Sequence, residues 1–208
     1  MTTIHLVRHG ETLWHAENRY AGSSDVALTP RGLEQAAELG QWARRQAQAG
    51  TRFDAVVTST LSRAVLTAVP AAQVLGLAPR SDPRLCEVHF GRGEGMTRAE
   101  MEGTFPDALA AFLASPATSP LPDAERGLDA VTRANQALTE IVAEHPEGTV
   151  LVVAHSTLTR IVLASLLGMD VERYRELLPS LGNCHVTSLT LDLAGRVALL
   201  GYNVPPTA

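Results

Sequence analysis

Three short apolar runs constrain this chain more than any other feature. Residues 4–7, 55–57 and 150–154 are built almost entirely from valine, isoleucine, leucine and alanine. Near-continuous hydrophobicity of this kind predicts strands covered on both faces, as in a parallel sheet. Each run ends in, or is closely followed by, a group able to do chemistry: Arg8-His9 after the first, Arg63 after the second, His155 after the third. In open α/β sheets, ligands bind beyond the carboxyl ends of the strands.

Helical patterns separate the runs. Thr29-Pro30 opens one that extends to about residue 48, with a hydroxyl cap followed by proline at the first helical position. A second covers 61–75, where Pro70 is expected to kink or divide it. Thr97-Arg98-Ala99-Glu100 has capping-box spacing and starts a third. Residues 115–123, rich in serine and proline, read as a loop, and further helices are expected at 128–144 and 158–167. Two alternating segments, 185–191 and 197–202, read as strands joined by a hairpin turn at Asp192-Leu193-Ala194-Gly195. The expected fold is α/β: a three-layer α/β/α sandwich with a mostly parallel central sheet, one domain over 1–208, and a small helical, substrate-capping insertion at about 88–130.

Composition narrows the function. All 17 basic residues are arginine, so chemistries that need a lysine (a Walker A loop, a protein-kinase site, a Schiff base) are excluded. The net charge of −5 argues against nucleic acid as a partner, and positive charge that handles an anion must be gathered locally in a pocket. Cys86 and Cys184 have no zinc-ligand spacing and read as two buried thiols. The chain opens directly on a strand and has no apolar run long enough to span a bilayer, so a cytoplasmic protein is expected.

The residues at the strand ends define a candidate site. His9, just past a buried strand, can be held rigidly, and a neutral imidazole nitrogen can attack phosphorus to give a phosphohistidine that water hydrolyses. Gly10 allows a sharp turn or the close approach of a ligand. Arg8 and Arg63 can clamp a phosphoryl group, Arg63 from a helix N-terminus that itself favours anions. His155, protonated, would help neutralise the phosphate. Glu87 is the candidate proton donor to the leaving alkoxide, its protonated form favoured by apolar neighbours and by a phosphate dianion.

Arg8-His9-Gly10-Glu11 resembles the signature of the histidine phosphatase superfamily, which includes phosphoglycerate mutases and many phosphatases. Four further blocks appear in family order: 25–29 with Gly32 and Gln35-Ala36; Ser59, Leu61, Arg63-Ala64 and Thr67-Ala68; Leu85, Glu87, Phe90-Gly91 and Glu94-Gly95; and 152–155 with Arg160. The resemblance implies His9 as nucleophile, Glu87 as acid, and Arg8, Arg63 and His155 on the phosphoryl group, assisted by the backbone N–H groups of Gly22 and Ser156. It implies no metal and no organic cofactor. His15 stands where the family usually has an asparagine that helps bind phosphate. Ala21, Gly93 and Ser156 also depart from common family residues.

The stretch from Glu87 to His155 is short, as in the phosphatase branches, and Arg133 in the later helix fits them too. Hydrolysis of a small phosphorylated metabolite is therefore expected over mutase-type transfer, and over a non-catalytic module that only binds a phospho-ligand. A metal hydrolase built on His9, Glu11, Glu87 and His155 is disfavoured by the two arginines beside them. Arg19, Tyr20, Phe90 and Met96 are candidates for the cavity mouth. Apart from the substrate and a second copy in a homodimer, no partner is expected, neither nucleic acid nor membrane.

Overall fold

The protein, described by a computed structural model covering residues 1–207, is built on a six-stranded sheet. The strands are β1 (Thr2–Arg8), β2 (Ala55–Thr58), β3 (Arg80–Ser81), β4 (Thr149–Ala154), β5 (Val186–Leu191) and β6 (Val197–Val204). Their spatial order is β3-β2-β4-β1-β5-β6. The first four run parallel, while β5 is antiparallel to β1 and β6 antiparallel to β5. The helices are α1 (Pro30–Gln48), α2 (Ser62–Leu75), α3 (Arg98–Thr104), α4 (Pro106–Ala114), α5 (Gly127–Glu144), α6 (Ser156–Leu166) and α7 (Tyr174–Leu177).

Alternation along the central strands divides the core into two layers. Ile4, Leu6, Val150 and Val152 pack with α5 and α6 on one face. Val7, Val56, Leu151 and Val153 pack with Leu39, Trp42, Ala64 and Ala68 of α1 and α2 on the other. Burial of each such aliphatic side chain contributes about 1.5–3 kcal/mol. That fixes the register of β1 and β4, and with it the position of His9 and His155 just past their ends. None of the described helices is long and apolar enough to cross a membrane.

Several local expectations need correction. Pro70 does not divide α2, which runs unbroken from Ser62 to Leu75. The carbonyl that loses its helical partner belongs to Leu66, on the exposed side, where water can satisfy it, and Pro70 packs against Gly40 of α1. The third helix is two helices. The Thr97 capping box forms, but Phe105 leaves helical geometry (φ −145°, ψ 65°) because Pro106 disfavours it there, and Pro106 starts α4. Strand β3 and helix α7 were not expected. Of the cysteines, Cys184 is buried but Cys86 is partly exposed.

Candidate active site

The carboxyl ends of β1, β2 and β4 meet at one edge of the sheet, and the expected residues converge there. Val7 pairs with Val153 and Arg8 with Ala154, so His9 and His155 leave adjacent strands at the same level, with ring centroids 5.2 Å apart. His9 is 5 % exposed and His155 fully buried. His9 Nδ1 donates to the Gly10 carbonyl at 2.7 Å, which fixes the tautomer and leaves the Nε2 lone pair free. Burial and the nearby Arg63 and Arg8 hold the His9 pKa well below its ordinary value, so the imidazole is neutral. Gly10 is needed for close packing rather than for admitting a ligand. A Cβ there would lie 2.5 Å from the Gly32 carbonyl in the first turn of α1.

Arg63, in the first turn of α2, is completely buried. It donates to the carbonyls of Ser24 and Gly22, both at 2.6 Å. Arg8 donates to the Leu181 carbonyl at 2.6 Å and contacts His15 Nε2 at 2.5 Å. Burial lowers the Arg8 pKa to about 10, so it stays charged at neutral pH. Neither cation has a carboxylate partner among the described residues. Five buried side-chain polar atoms among those residues have no hydrogen-bond partner, and three of them are Arg8 Nε, Arg63 Nε and His155 Nδ1. Buried donors left unmet cost stability, so their concentration around His9 marks a place for an anion. The N–H groups of Gly22 (φ +52°) and Ser156 likewise have no protein acceptor among the described residues.

His155 differs from expectation. It is neutral rather than protonated, because burial and the surrounding His9, Arg63, Arg133 and Arg8 push its pKa well down. Its Nε2 lies 2.7 Å from Ser59 Oγ. With that hydroxyl donating, Nδ1 carries the proton and is a neutral donor facing no protein acceptor. His15 is engaged with Arg8 and Thr12. Its Nδ1 lies 2.8 Å from Thr12 Oγ1 and its Nε2 accepts from Arg8, an arrangement that requires a neutral ring. Burial and the Arg8 charge lower its pKa accordingly.

Glu87 is 8 % exposed and is no solvated loop residue. Its surroundings are also not simply apolar. Oε1 accepts from the N–H groups of Leu158 (2.8 Å) and Val88 (3.0 Å), and Oε2 from Thr157 (3.0 Å), so the carboxylate caps the N-terminus of α6. Arg133 of α5 fixes the segment carrying it, donating to the carbonyls of Arg84 (2.7 Å), Cys86 (2.7 Å) and Glu87 (3.1 Å). Glu94 bonds Ser23 and Ser24, which holds the loop that presents Gly22.

A cavity of about 370 Å³ opens above His9, bordered by Arg8, Arg63, Glu87 and Ser156. Arg19, Tyr20, Phe90 and Ala21 line it as well, whereas Met96 packs against the core. Sequence patterns miss several contributors. Asn183 donates to the His9 carbonyl at 2.9 Å, Leu181 anchors Arg8, and Arg160, Tyr174 and Arg175 form the far wall. No local pattern links residues 174–183 to the strand ends. Among the described residues, no group of three or more His, Cys, Asp or Glu is placed to hold a metal ion.

A neutral histidine with a free nitrogen, ringed by unmet cationic and neutral donors, lies at the end of a parallel sheet, an arrangement suited to an anion. The chain belongs to the histidine phosphatase superfamily (branch 1), whose profile matches residues 4–204. It is 29 % identical over 174 residues to phosphoserine phosphatase 1 of Hydrogenobacter thermophilus, covering 84 % of this chain and 80 % of that one. It is 30 % identical over 187 residues to a protein of Erwinia tasmaniensis named as a probable phosphoglycerate mutase, covering 90 % and 84 %. A mycobacterial glucosyl-3-phosphoglycerate phosphatase solved with VO3 superposes with a TM-score of 0.85 at 28 % identity, over 97 % of this chain and 99 % of that one. These matches support an enzyme of the phosphatase and mutase type.

Proposed function

We propose that the protein is a metal-independent phosphomonoesterase that hydrolyses a small phosphorylated metabolite through a phosphohistidine at His9. One observation carries this reading: the unpartnered donors Arg8 Nε, Arg63 Nε and His155 Nδ1 are buried around a histidine whose own Nδ1 is tied back and whose Nε2 is free. The guanidinium groups and His155 receive the phosphoryl oxygens, with the Gly22 and Ser156 N–H groups at the rim. The Nε2 lone pair attacks phosphorus in line with the ester oxygen. The P–O bond to the alcohol breaks, and Glu87, protonated in the substrate complex by a proton that arrives with the phosphate group, passes that proton to the departing oxygen. Glu87, now a carboxylate, then accepts a proton from water as that water attacks phosphorus. The N–P bond breaks and inorganic phosphate leaves. His15 acts through Arg8, whose guanidinium it holds. The segment 88–130, containing α3 and α4, caps the cavity within one domain.

The test is product analysis in excess chelator, with an aryl phosphate as substrate and a polyol present as competing acceptor. Free phosphate released at an undiminished rate, and at most traces of phosphorylated polyol, is expected. A metal requirement, or dominant transfer to the polyol, would refute the hydrolase reading. His9→Ala is expected to remove turnover.

A further inference from the structure

The cavity continues past His9 toward α6 and α7, where Arg160 and Arg175 line it. Neither guanidinium has a carboxylate partner among the described residues. Arg160 donates to Ser156 O at 3.2 Å and to Leu178 O and Pro179 O at 3.4 Å. Arg175 donates to Tyr174 Oη at 3.1 Å and to Phe112 O at 3.4 Å. The 3.4 Å contacts are longer than an ordinary N–H···O bond, and the Nη2 of each arginine has no protein partner among the described residues. Arg19, lining the same cavity, is by contrast paired with Glu17 and Glu100.

Both free cations rest on one ring. Arg160 Cζ lies 5.0 Å and Arg175 Cζ 5.3 Å from the centroid of Tyr174, which is 2 % exposed, and Arg175 is also 4.5 Å from Phe112. These rings fix the guanidinium planes while leaving their edges to the cavity. Tyr20 faces the same pair, its phenol lying within the field of Arg175 and Arg160. Arg160 is also near enough to Arg8 to lower its pKa, a like-charge effect that Glu87 works against.

We propose that the half of the cavity bounded by Arg160, Arg175 and Tyr20 is a second anion subsite, and that the substrate is a small phosphomonoester that also carries a carboxylate. This rests on the phosphatase reading of the half containing His9. The charges call for a second anion. Arg8, Arg63, Arg160 and Arg175 line the cavity with one acidic residue, Glu87, and a phosphate dianion alone leaves positive charge over whether or not Glu87 holds a proton. A planar carboxylate suits the paired N–H edges of a guanidinium, and the cavity volume of about 370 Å³ holds a short carbon chain between the two anionic ends.

The experiment compares 3-phosphoglycerate with glycerol 3-phosphate, which differ in carboxylate against hydroxymethyl. Binding to the His9→Ala protein is measured by calorimetry, independent of turnover, and kcat/KM is measured on the unmodified enzyme. The carboxylate compound is expected to be favoured by about ten- to a hundredfold in both. Arg160→Met and Arg175→Met should each bring that ratio toward one, while losing far less on an aryl phosphate. Equal binding of the two compounds, or a preference that survives both substitutions, overturns the subsite. Carboxylate-dependent binding without phosphate release by the unmodified enzyme would instead overturn the hydrolase reading and leave the subsite standing. The binding ratio of the His9→Ala protein decides the question even if an arginine variant fails to fold.

Discussion

Glu87→Gln separates two things the same carboxylate does. In the native protein it accepts three backbone N–H bonds, two at Oε1 and one at Oε2. A glutamine can keep its carbonyl at the Oε1 position and retain the bonds from Leu158 and Val88. Its NH2 group then faces the Thr157 N–H, which is left without an acceptor. That unmet donor costs about 1–3 kcal/mol. Removing negative charge from the N-terminus of α6 adds about 0.3–1 kcal/mol. The expected destabilisation is therefore about 1–4 kcal/mol, or roughly 2–4 °C in Tm per kcal/mol for a protein this size. Loss of the proton donor should cost about a hundred- to ten-thousandfold in kcat on an alkyl phosphate. An aryl phosphate, whose leaving oxide needs little protonation, should lose far less. Urea unfolding gives the first quantity, and kcat at a temperature well below the melt of the variant gives the second. Equal losses on alkyl and aryl substrates would refute Glu87 as the acid and leave it only the role of anchoring α6.

The geometry yields three other expected outcomes. His15→Asn keeps an acceptor for Arg8 but cannot titrate. Since His15 must be neutral to accept from Arg8 and its pKa lies below 6.5, kcat/KM of the native enzyme should fall as pH drops below that value, and the variant should show a flatter acid limb. Superimposable profiles would contradict this. His5, packed between Trp42 and Phe53, has its pKa lowered by burial to about 4. The unfolded chain binds that proton first, so stability is full above 6.5 and declines as pH falls toward 4, by up to about 3 kcal/mol from this residue. Urea titrations should show a smaller acid loss in His5→Gln. Gly22→Ala would place a Cβ 2.0 Å from Glu94 Oε1 at a φ of +52°, and should displace the loop that Arg63 holds. A rise in KM with a loss of thermal stability is expected, and unchanged values would show the loop to be more adaptable.

Much of the site was legible because the chemistry sits beside strong local signals. Arg8-His9 and His155 directly follow buried strands, and Arg63 enters through a helix start. The sheet's mostly parallel order comes from the same runs. The features that escaped reading depend on packing between segments remote in sequence. His15 lines the cavity, as a phosphate contact would, but sequence does not show that its Nε2 is taken up by Arg8. His155 reads as a cation until the positive charge and burial around it are known. In sequence Arg175 looks like an ordinary surface arginine and Arg160 is only a member of the block around His155, and only the fold stacks them on Tyr174 without an acidic partner. The break at Phe105 was signalled by Pro106, but the Thr97 capping box pointed to a single helix. Two-residue β3 is too short to carry any pattern.

The most direct test of a nucleophilic His9 is to catch the intermediate. The enzyme is mixed with excess aryl phosphate, quenched in base within the first turnovers, digested and examined by mass spectrometry. One phosphoryl group on the peptide containing His9, absent in His9→Ala, is the predicted result. Turnover at full rate with no phosphorylated peptide, or a phosphoryl group found on His15 or His155 instead, would contradict it.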